Sequence, residues 1–242
     1  MEVRVPSLDS GVADRVSIII PTYKQLGFAR ACIESVLAYT TYPDFEIIVT
    51  DDASGVPPLL AYLRAMADAG KIRLFLHKER GQVKNVMKVF PESTGQFICW
   101  MNDDIEIPEG QGNWLNILVQ ALKDNRPAVA SVTPIMYHGR DRKTIYWAGK
   151  KMENWKNKYH DHLHEPFGSP RIPTKPVECC YNTFGCCLTW RKLVEVVPLG
   201  FKATHYGVDS EWCFRIRRAL GLTHYMIPDT YVYHANIYNR RI

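Results

Sequence analysis

FICWMNDDIE, residues Phe97 to Glu106, sets five apolar residues directly against a cluster of carboxylates. The apolar run Phe97-Ile98-Cys99-Trp100-Met101 is short and does not alternate with polar residues, so it predicts a strand buried on both faces. Clustered carboxylates repel one another and are costly to desolvate. Asn102-Asp103-Asp104 at the end of such a strand lowers stability unless something positive compensates it. A divalent metal is one candidate for that role.

The residues before this stretch repeat a two-part rhythm. Val16-Ser17-Ile18-Ile19-Ile20 is a β-branched run stopped by Pro21, as expected of a buried parallel strand. Phe28, Ala31, Cys32, Ser35, Val36 and Tyr39 recur at spacings of three and four, predicting an amphipathic helix. A second strand is expected over 45–49, running into Asp51-Asp52, then a helix over 59–69 closed by Gly70 and a third strand over 72–76. A weaker helix over 82–93 precedes the fourth strand at 97–101. Four alternations of strand and helix in about one hundred residues argue for an α/β fold with a mostly parallel sheet and right-handed crossovers.

Past Asp104 the rhythm changes. A helix is expected over 113–123 and a strand over 128–137. Residues 138–176 are rich in Pro, His, Lys and Gly without periodicity, and a stretch of that kind is usually functional or mobile. Order returns with a strand near 181–190, a helix over 209–220, and two short strands near 223–227 and 231–234. With no internal repeat, the simplest organisation is one domain over residues 1–242. Its first 104 residues form one half, and 105–242 form an elaborated second half.

The 242 residues carry a net charge of +5 and are 46% hydrophobic and 23% charged, an ordinary globular composition with room for a sizeable core. The basic residues are scattered, so no nucleic-acid partner is expected. Seven cysteines, including the adjacent pairs Cys179-Cys180 and Cys186-Cys187, lack zinc-site spacing. Strand alternation would put one thiol of each pair in the core, and a reducing cytoplasm is the default location. No apolar run approaches the ~20 residues that span a bilayer, so any membrane contact is expected to be peripheral, at the inner face.

Ligands of open α/β sheets bind at the carboxyl ends of the strands. Polar residues follow three of those ends here: Pro21-Thr22-Tyr23, Asp51-Asp52-Ala53-Ser54 and Asn102-Asp103-Asp104. Each alone is an ordinary turn former. Their joint placement on one rim of one sheet is the stronger signal.

In this order, "VSIIIPTYKQ", "CIESVL", "FEIIVTDDAS" and "WMNDDIEIP" resemble the family 2 glycosyltransferases of GT-A fold. The resemblance continues through "GVDSEWCFRIRRALG" and "YVYH" and so covers roughly residues 15–235. It implies a nucleotide-sugar donor, a UDP- or dTDP-sugar, held by Pro21, Thr22, Tyr23, Asp51, Asp52, Lys84 and Asp103. An aspartate can accept from a uracil or thymine imide N–H, and tyrosine offers an apolar ring face. Asp104 would be the metal-binding carboxylate of a D-x-D-type motif and His234 a second ligand for Mn²⁺ or Mg²⁺, the imidazole favouring manganese.

Asp209 would be the catalytic base that deprotonates an acceptor hydroxyl, giving inversion. A plain helix N-cap at Asp209 or Ser210 is the bland alternative, with a worth of about 1 kcal/mol. Gly185, Glu211 and Trp212 would line the acceptor site for a glycan or lipid-linked saccharide. "YNTFGCCLTWRK" is similar to the rhamnosyltransferase-like branch, which makes dTDP-rhamnose an alternative donor. Two features depart from the family pattern. Val208 stands where a carboxylate usually precedes the base, and Met87 aligns where an asparagine is usual, with Lys84 and Asn85 close by to reach the diphosphate instead.

Other signals were weighed against these. A nucleotidyltransferase would need a Gly-rich, basic loop after the first strand, where this chain has Pro21-Thr22-Tyr23-Lys24-Gln25. A catalytically silent binding module would be favoured by loss of Asp104 or Asp209, and both are present. The tract Tyr159 to Glu165, with His160, His162 and His164, admits a structural zinc, but a loop that closes over the ligands suits its setting better. Trp147 and Trp155 offer faces for sugar stacking, or anchor that loop. Arg215, Arg217 and Arg218 are expected to form a solvated helix face rather than a lipid-phosphate contact.

Overall fold

The computed structural model describes residues 14–124, 128–139, 141–149, 164–200 and 207–235. His160, His162 and Trp155 lie outside these residues.

The ten strands among the described residues belong to one sheet, in the order β3-β2-β1-β4-β9-β6-β10-β5, with β7 added on β6 and β8 on β10. The first half follows the expected rhythm closely. It comprises β1 (Val16–Thr22), α1 (Leu26–Tyr39), β2 (Phe45–Asp51), α2 (Pro57–Asp68), β3 (Arg73–Leu76), α3 (Gln82–Val89) and β4 (Phe97–Met101). Its strands are parallel throughout. Helices cover the sheet, so β1 and β4 are buried along nearly their whole length, which is why their sequences run apolar without alternation. Leu59 and Leu63 anchor α2, each fully buried and worth roughly 1.5–3 kcal/mol of removed apolar surface.

Pro21 does not stop β1, which runs on to Thr22. The register of β4 against β1 ends at Ile19, so the proline lies beyond the ladder on that side and costs no pairing there. The helix expected over 82–93 ends at Val89 and tightens into a 3-10 turn at Phe90–Glu92, with Pro91 inside it.

The second half comprises β5 (Ile105–Glu106), α4 (Trp114–Asp124), β6 (Val129–His138), β7 (Ile145–Trp147), β8 (Val177–Cys179), β9 (Cys186–Trp190), α5 (Arg191–Val196), α6 (Val208–Leu220) and β10 (Thr223–His234). Here the sheet becomes mixed. β9 lies antiparallel between β4 and β6, and β10 runs parallel to β6. The two short strands expected near the C-terminus are one strand, β10, whose register against β6 shifts between Ile227 and Tyr231. The strand expected over 181–190 is confined to β9, and β7, β8 and α5 were not anticipated.

Both members of each cysteine pair are buried, as are all seven cysteines, none in a disulfide. The expectation of one core thiol per pair fails because β9 is covered on both faces. It also fails because Cys180 is buried beyond the end of β8. A smaller core on one side of β6 and β10 gathers Ile135, Tyr137, Ile145, Ala148, Cys179 and Met226.

A buried polar knot ties this second half together. His224 Nε2–H donates to the Cys213 carbonyl at 3.1 Å, leaving Nδ1 to accept from the Ser131 hydroxyl at 2.8 Å. Asn182 Nδ2 in turn donates to Ser131 Oγ and to the Ser131 and Tyr225 carbonyls. Burial, with the charge of Arg217 adding to it, pulls the His224 pKa down to about 4, so the ring is neutral. The knot joins β6, β10, α6 and the loop ahead of β9.

Candidate active site

The first two strand ends are stitched to each other. Asp52 N–H donates to the Thr22 carbonyl and Lys24 N–H to the Ser54 hydroxyl, both at 2.9 Å. Asp51 closes an Asx-type turn, taking the Ser54 N–H at 2.9 Å on one oxygen and the Ser54 hydroxyl on the other. Asp52 is buried and accepts from Gly81 N–H at 2.8 Å and from Asn85 Nδ2 at 2.6 Å, with Arg80 at 3.9 Å. Asn85 therefore positions Asp52, whereas Lys84 is exposed and faces Glu79 at 3.8 Å. The guanidinium of Arg80 also lies 4.1 Å from the centre of the Tyr23 ring, and Lys24 Nζ lies 5.0 Å from it.

The third strand end joins this rim through Asp103, whose Oδ2 accepts from the Thr22 hydroxyl at 2.8 Å and Tyr23 N–H at 3.4 Å. Burial, then the neighbouring Asp104 carboxylate, push the Asp103 pKa up to about 7. An acidic cluster without a cation is costly here, as the sequence implied.

Asp104 meets His234 across the β5–β10 ladder, in which His234 pairs with Ile105 and Tyr233 with Glu106. Asp104 Oδ1 lies 3.7 Å from His234 Nε2, and both side chains are almost fully buried. Burial holds the His234 pKa below its ordinary value, keeping its lone pair free of a proton. One carboxylate oxygen and one neutral imidazole nitrogen at this separation fit two positions around a single Mn²⁺ or Mg²⁺ ion. Among the described residues no group of three or more His, Cys, Asp or Glu could hold a metal, so an ion at this pair would take its remaining donors from a ligand or water.

Gly185 closes one side of this pair. Its carbonyl accepts from Asn102 N–H at 2.9 Å, and a β-carbon on it would come within 3.2 Å of Met136 Sδ and 3.3 Å of His234 Cδ2. A side chain there would press first on Met136 and then on the imidazole, each of which would have to give by a few tenths of an ångström. Tyr146, on β7, covers the His234 ring with centroids 4.2 Å apart and planes 13° from parallel.

Asp209 is the second residue of α6. The cap position belongs to Gly207, in the left-handed region with φ +86°, so neither Asp209 nor Ser210 is the N-cap. The Asp209 carboxylate accepts from Ser210 N–H at 2.7 Å, and the Phe184 N–H and Thr183 hydroxyl also bond to it. Burial nevertheless outweighs these donors and raises its pKa. The carboxylates of both Asp104 and Asp209 act on the Tyr146 phenol, which is pushed up to about 12 mainly by burial.

Two expected acceptor residues stand elsewhere. Trp212 is wholly buried, donates to the Val197 carbonyl at 2.6 Å and packs on Phe184 and His224, which leaves it no face for a ligand. It belongs to the buried stripe of α6 with Cys213, Ile216 and Leu220, which faces the core. Glu211 is held by Arg215 through both carboxylate oxygens. Arg217 pairs with Glu178 at 2.5 Å, so of the three basic residues on α6 only Arg218 is exposed. Sequence reading missed Arg80, Tyr146 and Thr183. Tyr146 sits in a stretch without periodicity, and nothing local marks it.

The glycosyl transferase family 2 profile matches residues 17–197, about three-quarters of the chain. The chain belongs to that family. A β-1,3-glucosyltransferase of Campylobacter jejuni, named for GalNAc(5)-diNAcBac-PP-undecaprenol, is 26% identical over 98 residues, covering 40% of this chain and 31% of that protein. A mannosyltransferase of Pyrobaculum calidifontis, in complex with GDP-Man and Mn²⁺, superposes with TM-score 0.64 at 18% identity, over 93% of this chain and 58% of its own. GalNAc-T7 with UDP, GalNAc and Mn²⁺ superposes with TM-score 0.67 at 16% identity, over 91% of this chain and 43% of its own. The shared fold is GT-A. This chain spans between 9% and 31% of the lengths of the curated relatives it matches.

Proposed function

We propose that this family 2 glycosyltransferase moves a sugar, with inversion and with the help of Mn²⁺ or Mg²⁺, from a UDP- or dTDP-sugar to a hydroxyl of a glycan or lipid-linked saccharide. The observation that carries the reading is the buried Asp104–His234 pair on the same sheet rim as the nucleotide-side aspartates, with Asp209 close enough to share Tyr146 with it. The ions and nucleotides in the two solved relatives support the metal and the donor class, and the name of the Campylobacter enzyme supports a lipid-linked acceptor. No helix of the described residues is long and apolar enough to cross a membrane, and contact with a lipid-linked acceptor would be peripheral.

On this reading residues 1–104 hold the donor and 105–242 the acceptor. The base and ribose lie over Tyr23 beside Asp51 and Asp52, with Arg80 positioned to face the phosphates. Asp51 spends its two oxygens on Ser54, but each carboxylate oxygen retains a further lone pair for an imide N–H. Asp104 and His234 would hold the ion, which would supply neutralisation of the charge that grows on the departing diphosphate.

Asp209 takes the proton from the acceptor hydroxyl as its oxygen forms a bond to the anomeric carbon. The bond from that carbon to the diphosphate oxygen breaks with its electron pair, and a nucleoside diphosphate leaves. Burial makes Asp209 a stronger base than an exposed carboxylate, while the Thr183, Phe184 and Ser210 donors hold its orientation.

The test is a thermal-shift and hydrolysis panel of UDP-, dTDP- and GDP-sugars with and without Mn²⁺. One uridine or thymidine donor should raise the melting temperature in a metal-dependent way and be slowly hydrolysed, with Asp209→Asn binding it without turnover. Stabilisation by GDP-sugars alone would overturn the donor assignment, and no stabilisation by any donor would overturn the reading itself.

A further inference from the structure

We infer that Tyr146 is a positioning residue for the metal site: its ring fixes the plane of His234, so that the imidazole lone pair is aimed at the ion. The inference rests on the assignment of His234 as a ligand and adds a residue from β7 to that site.

Geometry carries it. The Tyr146 and His234 rings are near-parallel, 13° apart, at a centroid separation of 4.2 Å, which is close face-to-face contact rather than incidental proximity. Gly185 also borders the imidazole, where an added carbon would fall 3.3 Å from His234 Cδ2. The ring of His234 thus has an aromatic wall against one face and a glycine backbone close to its Cδ2. A histidine can swing about its side-chain torsions, and a swing carries Nε2 away from Asp104. The stacked ring and the close glycine limit that freedom.

Tyr146 is itself held. Its neighbours Ile145 and Trp147 are fully buried, and Trp147 packs against Tyr181 at 5.3 Å. His138 meets the Tyr146 ring edge-on at 5.4 Å, and His164 stacks on His138 at 5.4 Å with planes 8° apart. The wall is therefore the inner end of a column running His164, His138, Tyr146, His234. Three of these four residues lie in the stretch the sequence left unassigned. Outer groups that orient a metal-binding histidine typically change metal affinity by 10–100-fold when removed.

The experiment measures Mn²⁺ binding by the loss of free-ion electron paramagnetic resonance signal, with saturating UDP or dTDP, together with melting temperature. Tyr146→Leu is expected to weaken Mn²⁺ about tenfold, whereas Tyr146→Phe, which keeps the ring, retains wild-type affinity. Tyr146→Met, similar in length but without a ring, replaces the leucine variant if that one does not fold. Nucleotide binding without metal should be unchanged in all three.

Equal Mn²⁺ affinity in wild type and the leucine or methionine variant overturns the inference. So does a tenfold loss in Tyr146→Phe, which would assign the effect to the hydroxyl. His234→Ala separates this failure from a failure of the premise. If His234→Ala binds Mn²⁺ like wild type, His234 is not a ligand and the metal assignment falls. If His234→Ala loses Mn²⁺ while Tyr146→Leu does not, only the positioning role falls.

Discussion

The two halves of the sheet hold their acids by different means. In the first half, Asp51 and Asp52 are satisfied by donors close by: Ser54 three residues on, and Gly81, Asn85 and Arg80 from the turn and helix after β3. Asp104, at the boundary between the halves, and Asp209, in the second, sit among aromatic rings and meet partners from elements far apart in the chain. His234 is 130 positions beyond Asp104, and Thr183, Gly185 and Tyr146 come from two further places, the loop ahead of β9 and β7. Local donors make a carboxylate a fixed acceptor, suited to gripping a ligand. Burial raises proton affinity, as at Asp209, and suits a group that must take up a proton.

Asp209→Asn puts the largest strain on this contrast. It should lower transfer by about 10³-fold with donor affinity within about twofold of wild type. A loss in donor affinity with preserved turnover would place Asp209 with the gripping acids and erase the distinction.

The neutral His224 tests whether the second half rests on its buried knot. Its folded pKa, about 4, lies below the ordinary 6.5, so its contribution is fully present above 6.5 and lost as pH falls toward 4. The shift corresponds to about 3 kcal/mol. Urea denaturation should therefore show wild type losing that much more stability than His224→Gln between those pH values. Identical pH dependence in the two proteins would show that the knot does not titrate as described.

Gly185→Val should weaken Mn²⁺ by roughly tenfold or more, since the added carbons displace His234 or Met136. Wild-type metal affinity in that variant would mean the close approach is not needed. The smallest effect belongs to the first half. Asn85→Ala removes one of two short donors to Asp52 and should cost about 1–2 kcal/mol of stability and a few-fold in donor affinity, measured by calorimetry, with Mn²⁺ affinity unchanged. An equal loss of metal affinity would show the halves to be coupled.

The same contrast explains what the sequence disclosed. The first four strands and three helices were legible because each has a regular apolar period and each polar rim follows its own strand directly. Asp104 was marked by its acidic cluster at a strand end, whereas Asp209 and His234 were legible only through resemblance to a family. Trp212 was misplaced because it lies on the buried stripe of α6 with Ile216 and Leu220, and an apolar stripe reads alike whether it meets the core or a ligand. Tyr146 carries no local mark, because its role arises from a strand of three residues added to β6 by tertiary pairing. The mixed order of β9 between β4 and β6 is likewise set by packing, since an apolar run reads alike in either direction.

The pairing of His234 with Ile105 has a consequence for how the molecule comes to be made. The nucleotide-side rim is complete once β4 has joined β1, whereas Asp104 gains its imidazole only when β10 has docked, after nearly every other strand has emerged. That contact spans more than half the sequence and is among the costliest to close during folding. Tight binding of the proposed ion would therefore report that β10 is in place, and a product stalled before β10 would be silent toward metal while its early strands were already formed.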